Sequence, residues 1–253
     1  MPNRKDKLAL LDDLISAARK AGADAADALL VESVSAGVSY RLGKLEDVER
    51  AESTDLGLRV FVGAKVAFVS STDLSKERLA ELPQRAVAMA KLAPEDKYAG
   101  LAPKGLLARD YPALDLEDSN EPSTETLIPR AKDIEGAAMA VPGITNSEGG
   151  GASFGRSAIA LATSEGFRGG YASTSHGIGV AVLAGEGTAM ERDYDESSAR
   201  HASDMEAPAL VGKRAGQRTV KRLNPRQAKS QRAPVIYDPR ISSSLIGSFA
   251  STI

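Results

Sequence analysis

The chain has no cysteine and no tryptophan, and only two histidines among 253 residues. Without thiols there are no disulfides and no thiolate ligands, which fits a reducing compartment. Two histidines, His176 and His201, stand 25 positions apart, and neither belongs to an H-x-x-x-H or H-E-x-x-H pattern. No helix can therefore present two imidazoles one turn apart to a zinc ion. Aromatic residues make up 4%, which argues against a base-stacking surface for nucleic acid. No run approaches the 18 apolar residues of a membrane span. The N-terminal stretch "MPNRKDKLALLDDLISAARKAG" lacks the apolar core of a signal peptide. The expectation is a cytoplasmic protein without a membrane partner. The net charge of −2 points to no strong global field.

What is present is an ordinary globular balance, 42% apolar and 26% charged. Leu8, Leu11, Ile15 and Ala18 share one helical face, and Gly22 stands where a C′ glycine ends a helix, so a helix is read over 5–21. Even-step apolar spacing from Val34 to Leu42 reads as strand, with Gly43-Lys44 as a hairpin turn. A second hairpin follows in "LGLRVFVGAKVAFVSS", turning at Gly63-Ala64 in a type II′ geometry. A helix with Pro83 inside it runs to Pro94. Residues 94–122, with four prolines, read as a linker. Helix returns over 124–140. The segment 144–192 is glycine-rich and β-like, with turns placed at Gly149-Gly150-Gly151, Gly166, Gly169-Gly170 and Gly185. A long helical stretch is read over 196–223, "APVIYDP" as a short strand, and "SSSLIGSFASTI" as a helix capped by Ser242, Ser243 or Ser244.

The order repeats. Residues 56–75 lie over 178–197 at a constant offset of 122, so that Gly57 meets Gly179, Gly63 meets Gly185 and Asp73 meets Asp195. Two unrelated β-hairpins could align as well, and duplication is the preferred reading because the flanking helices match too. The predicted fold class is α+β: two similar helix–four-strand–helix units from a duplication, followed by the start of a mostly β C-terminal domain. The domain expectation is a first unit at 1–105, a linker at 106–122, a second unit at 123–230 and a third element beginning at 231–253.

Signals for chemistry are few. No G-x-S-x-G elbow exists. "SEGGGASFG" has loop-like glycines but lacks the Lys-Ser/Thr of a phosphate loop. One charge feature stands out: no acidic residue lies between Glu206 and Asp238, while eight basic residues do. Arg214, Arg218 and Lys221 would line one side of a helix at i, i+4 and i+7. The basic run is readable as a solvated face, as a contact for an acidic partner surface or, less well without aromatics nearby, as a nucleic-acid contact.

Three stretches, taken together, resemble a known family. "GKLEDVERAESTDLGLRVFVGAKVAFVSSTD" (43–73) is similar to the N-terminal signature of the TldD/PmbA family. Residues 146–201 resemble its second module, with an Asn-x-Glu-Gly turn and an R-D-Y end, and 223–249 resemble the junction into its C-terminal domain. The resemblance implies modulators of DNA gyrase and zinc-dependent peptidases that work in pairs, one subunit type carrying H-E-x-x-x-H just after the Pro-Val segment. Here that position holds Leu245-Ile-Gly-Ser-Phe-Ala-Ser-Thr, without His or Glu. The chain therefore resembles the PmbA (TldE) side, with zinc expected only in a TldD-like partner and no cofactor of its own. The family is nearly twice this long, so a further domain is expected beyond Ile253. The implied role is a metal-free subunit, in a dimer with a TldD-like subunit or with itself, that holds unfolded peptide for proteolysis. The peptide-contact expectation falls on Asn146, Glu148, Gly149, Gly150 and His176, and the partner-contact expectation on Arg214, Arg218, Lys221 and Arg222. A non-enzymatic binding module acting through 213–232 is the alternative.

Overall fold

The computed structural model describes residues 4–110 and 112–252. Helix α1 spans Arg4–Lys20, and Gly22, at φ +106°, ends it as the periodicity predicted. Three strands follow, β1 (Ala25–Arg41), β2 (Lys44–Val62) and β3 (Lys65–Ser71), and then α2 (Lys76–Leu92). The same order recurs: α3 (Thr124–Met139), β4 (Ile144–Thr163), β5 (Arg168–Ala184), β6 (Glu191–Ala199) and α4 (Pro208–Lys221). All six strands form one sheet in the order β3-β2-β1-β4-β5-β6, with every neighbouring pair antiparallel. The protein is thus mixed α and β, as the sequence suggested. Each half contributes three strands rather than four.

The miscount has a physical cause. Residues 44–53 of β2 are exposed throughout, because no helix covers them and β3 pairs only with Leu56–Val62. Without a buried face there is no alternation, and the polar run Glu52–Asp55 looks like a break between two strands. It lies inside one. Likewise Gly149–Gly151 and Gly169-Gly170 lie within β4 and β5 rather than in turns. Residues 196–199 belong to β6, so the helix predicted from 196 begins only at Pro208.

The hairpin turns are set by backbone sign. Leu42 and Gly43 both have positive φ, +47° and +79°, so the first turn is of the I′ kind and sits one residue earlier than predicted. Gly63 has φ +59° with no positive φ at Ala64, as a II′ turn requires. The equivalent turn at Gly185 (φ +83°) is longer and carries a short 3-10 turn at Gly187–Ala189. The 122-residue offset therefore holds up to the turn and then slips: β3 starts two residues after Gly63, and β6 six after Gly185. Asp195 lies inside β6, whereas Asp73 lies beyond β3.

Even-numbered residues of β1 from Ala26 to Val38 are buried and odd-numbered ones are not. The helices cover that buried side in two pairs. Leu11, Leu14 and Ile15 of α1 and Leu82, Ala86 and Val87 of α2 pack with Leu30, Leu56, Leu58 and Val60. Leu127, Ala131 and Ile134 of α3 and Val211 and Ala215 of α4 pack with Val38, Ile178, Val180 and Val182. Helices α3 and α4 approach closely because α4 turns Gly212 and Gly216 toward its neighbour. A Cβ on Gly212 would stand 2.1 Å from the Ile134 carbonyl oxygen, and one on Gly216 would stand 2.8 Å from that of Ala138. The buried Glu135 of α3 accepts hydrogen bonds from the turn amides of Leu42 (2.8 Å) and Gly43 (3.3 Å), which pins the β1–β2 hairpin to the helix layer.

The chain divides at Leu223, and residues 224–253 form a separate small unit. Within it, 233–237 are not strand, contrary to the reading of "APVIYDP". Pro234 removes one ladder donor from so short a run. Helix α5 spans Pro239–Ala250 and is capped by Asp238, which accepts from the Arg240 amide, not by the serines inside it.

Two glycine substitutions separate packing from propensity. A Cβ added to Gly136 of α3 would meet nothing within 4 Å, so Gly136→Ala should raise stability by up to about 1 kcal/mol. Gly212→Ala must push α4 off α3 and should lower it by about 1–3 kcal/mol. Thermal or denaturant unfolding of both variants checks the signs.

Candidate functional site

The sheet face opposite the helices carries only glycine and serine in its middle. Pairing registers place Glu49, Gly37, Ser153, Gly177 and Ser198 in one row across five strands, and Asp47, Ser39, Gly151, Gly179 and Glu196 in the next. These rows floor a shallow groove of about 420 Å³. Two further rows continue it with Ser35, Gly155 and Ser175, then Ser53, Ser33, Ser157 and Ser173. Beyond them the face becomes apolar at Val31, Ile159 and Tyr171. The face therefore grades from a carboxylate rim, through glycine and serine, to an apolar end.

Of the glycines of this face, Gly177 answers a neighbour, since a Cβ there would stand 2.8 Å from the Ser153 hydroxyl, but the others are not explained by packing within the chain. A Cβ added to Gly37 or Gly155 would meet nothing within 4 Å, and neither has a positive φ. Gly151 and Gly179 would make only ordinary contacts, the nearest at 3.7 and 3.5 Å. Glycine inside a strand costs roughly 0.5–1 kcal/mol relative to alanine, and it marks places where another backbone or a ligand comes close. The signal is in the sequence as small residues at every second position, "SVSAGVS" and "STSHGIG", but glycine in such a run reads first as turn.

The residues expected to contact peptide do not converge. Gly150 faces α3, where a Cβ would stand 2.5 Å from the Ala131 carbonyl oxygen, so its role is helix–sheet packing. His176 is fully buried on the helix side of β5. Gly149, at φ +113°, forms an irregularity in β4, and the Asn146 side chain accepts from the Ser147 amide. Glu148 is bound by Arg192 at 2.7 Å.

The basic face of α4 is engaged within the chain. Arg214 bonds both Asp195 and, at 2.7 and 2.9 Å, Glu206; Arg218 reaches Asp195 at 2.5 Å, and Arg222 reaches Asp193 at 2.9 Å. Asp193 and Asp195 are buried residues of β6. Bonds from Arg214 hold the Glu206 carboxyl below its ordinary range, and the two carboxylates hold the Arg214 guanidinium above its own. The acidic surface that these arginines were expected to meet in a partner is supplied for three of them by β6. Lys221 lies on the same helix.

Among the described residues, no group of three or more His, Asp or Glu side chains is placed to hold a metal ion. The zinc chemistry attached to the resemblance finds no donor set in them.

Asp195→Ala should leave Arg214 and Arg218 without their buried acceptor and lower stability by about 1–3 kcal/mol. Unfolding by denaturant measures this, and a variant as stable as the parent would show that α4 is held by its apolar stripe alone.

Comparison with known proteins agrees with this architecture. Residues 26–90 match the family description "PmbA/TldA metallopeptidase domain 1", and residues 117–223 match "PmbA/TldA metallopeptidase central domain". The chain is 35% identical over 248 residues to metalloprotease PmbA of Escherichia coli O157:H7, covering 96% of this chain and 55% of that protein. It is 30% identical over 240 residues to a PmbA homologue of Haemophilus influenzae, covering 94% and 53%. The fold matches a Bacteroides thetaiotaomicron crystal structure described as a candidate modulator of DNA gyrase, with a TM-score of 0.89 at 22% identity over 99% of this chain and 57% of that one. It also matches TldE from Thermococcus kodakarensis, with a TM-score of 0.71 at 17% identity over 83% and 47%. The chain spans about half the length of the curated relatives it matches. On these matches the chain belongs to the TldD/PmbA metallopeptidase family, on the PmbA side.

Proposed function

We propose that this chain is part of a metal-free, PmbA-side subunit of a two-subunit metallopeptidase. In this reading the bare sheet face holds an extended, unfolded peptide and presents it to the zinc of a TldD-like partner, in the cytoplasm. The observation that carries the reading is the pair Gly37 and Gly155, which have free space around them and ordinary backbone angles, yet carry no side chain. A bare pleated surface lets a peptide backbone approach, and the serine hydroxyls of the adjoining rows offer sequence-tolerant hydrogen bonds. The names of the E. coli and H. influenzae relatives support the peptidase assignment. The division of labour rests on the absence of H-E-x-x-x-H from residues 245–252. The alternative, a binding module using the basic segment 213–232, is disfavoured because Arg214, Arg218 and Arg222 already hold buried or half-buried carboxylates. A role as a modulator of DNA gyrase, the description given to the B. thetaiotaomicron structure, would draw on the same peptide-holding face.

The test is co-purification of the full-length subunit with a TldD-like partner, followed by digestion of a disordered peptide with each subunit omitted in turn. Cleavage should need both subunits and stop with a chelator. Gly37→Val and Gly155→Val should leave the unfolding midpoint unchanged or slightly higher, preserve the complex, and slow cleavage at least about tenfold, a loss of about 1.4 kcal/mol in transition-state binding. Cleavage by this subunit alone, surviving chelation, would overturn the assignment. Valine variants with full activity would remove the bare face from it.

A further inference from the structure

The two helix pairs leave a seam between them on the covered side of the sheet, and the segment 115–122 lies across it. At one end the segment extends the sheet where β6 stops. β6 pairs with β5 only as far as His176, and the next inward-facing residue, Thr174, gives its amide to the Leu116 carbonyl at 2.9 Å. The Thr174 hydroxyl accepts from the Asp118 amide at 2.8 Å and donates to the Arg200 carbonyl at 2.7 Å. Glu117 is held by Arg156 of β4, and Glu121 by Arg50 of β2 at 2.9 Å. Pro122 is buried at the far end. The segment is a strap fastened to three strands.

Both histidines of the chain touch this strap. His176 is fully buried, packed against Phe154 with ring centroids 5.1 Å apart. Its Nε2 stands 3.2 Å from the Asp118 carboxylate. Geometrically, neither ring nitrogen completes a hydrogen bond among the described residues, so the contact acts chiefly through charge. The Asp118 carboxylate is spent on the amides of Ala202 and Asn120, both at 2.8 Å. His201 is partly exposed, and its Nε2 lies 3.0 Å from the Asp115 carbonyl, at a residue whose φ of +47° turns that carbonyl toward it.

We propose that strap 115–122 is a pH-tuned latch, closing over the β5 edge and the seam between the helix pairs most tightly near neutrality and loosening as the pH moves either way. The proposal is independent of the peptide-holding reading of the opposite face.

The charges around the two rings give the direction. Facing His176 are Asp118 of the strap, Arg130 of α3 and His201. Burial is the largest influence and, with Arg130 and His201, it outweighs the pull of Asp118, so the His176 pKa falls below its ordinary 6.5. Facing His201 are Asp115 and Asp118 of the strap and Asp204 beside it. The Asp115 carbonyl is the largest influence, and the His201 pKa rises above 6.5. Asp118 itself is held low, first by the Ala202 amide and then by that of Asn120, so it stays ionised through this window. Opening the strap returns both rings toward about 6.5. For His201, raised when closed, the favourable contribution is complete below about 6.5 and is lost as the pH rises through its closed value. For His176, lowered when closed, the contribution is complete above about 6.5 and is lost as the pH falls toward its closed value. The two losses lie on opposite sides, so closure is favoured most at a pH between the two closed-state values. Each histidine changes the closing equilibrium by at most about tenfold per pH unit.

The experiment is amide hydrogen exchange on the 253-residue chain from about pH 5 to 8, corrected for intrinsic rates. The reporters are the amides of Thr174, Asp118 and Ala202, with the β1–β4 ladder as reference. Their protection should pass through a maximum between the two histidine titrations and fall on both sides, while the ladder stays flat. His201→Gln should flatten the alkaline limb and His176→Gln the acid limb. Because His176→Gln alters a buried site, proton NMR titration of the parent protein gives a second reading: one histidine titrating below 6.5 and the other above. Strap protection that is flat or changes in one direction only, or two histidines titrating together at about 6.5, would overturn the proposal.

Discussion

The antiparallel pairing of β1 with β4, running from Asp27↔Thr163 to Tyr40↔Gly150, is the constraint on which the rest depends. Each half alone would be a three-stranded sheet with two helices on one side and an unpaired central-strand edge, an exposed template for aggregation. Joining the two edges removes that liability and places all four helices on one side. It also sets the phase of both halves. Even positions of β1 are buried under α1 at one end and under α3 at the other, so a one-residue slip against β4 would turn both apolar sets outward at once.

That single sheet explains what is legible in the sequence and what is not. The positions of α1, α2 and α3 are legible because each has one apolar stripe against the sheet and a clear stop signal, at Gly22, Pro94 and Pro142-Gly143 respectively. Hairpins at Gly63 and Gly185 are legible because positive φ demands glycine there. The long strands are not. β2 changes environment halfway, from a covered strand at Leu56–Val62 to an uncovered one at Lys44–Ser53, and a pattern search sees that change as an end. The carboxylates that hold Arg214 and Arg218 are also hidden. Asp195 lies 19 and 23 positions away, just before the stretch read as helix. Nothing in the pattern tells that β6 folds back beside α4, so the basic run looks free when its partners lie on the strand beside it. His176 is conspicuous in the sequence, yet its meaning depends on Asp118, in a proline-rich segment with no periodicity to place it.

The same sheet gives the strap its place. Between the two helix pairs on the covered side lie three polar residues, Glu32, Arg156 and Thr174, together with the apolar Val34. Glu32 is met by Lys7 of α1, Arg156 by Glu117, and Thr174 by the strap backbone. A seam lined by polar groups needs polar cover, since a buried unpaired donor or acceptor costs about 1–3 kcal/mol. The linker therefore has a structural role that its composition does not announce, and it is a place where the larger unit is held by hydrogen bonds rather than by apolar packing.

Glycine has three separable meanings in this protein, and only one of them speaks of function. At Gly22, Gly63 and Gly185 it answers a positive φ. At Gly150, Gly212 and Gly216 it answers a neighbour: a Cβ there would meet a backbone oxygen at 2.5, 2.1 and 2.8 Å, closer than atoms tolerate. At Gly37 and Gly155 neither reason applies, since the backbone is ordinary and the space is open. A strand interior that forgoes alanine or valine gives up conformational stability, and here it does so next to serines on a face that no helix covers. Open space alone does not single them out, since Gly57 and Gly136 share it. What sets Gly37 and Gly155 apart is their place in the rows of glycine and serine on the face opposite the helices, and that placement is the ground of the proposal that a second backbone lies flat there.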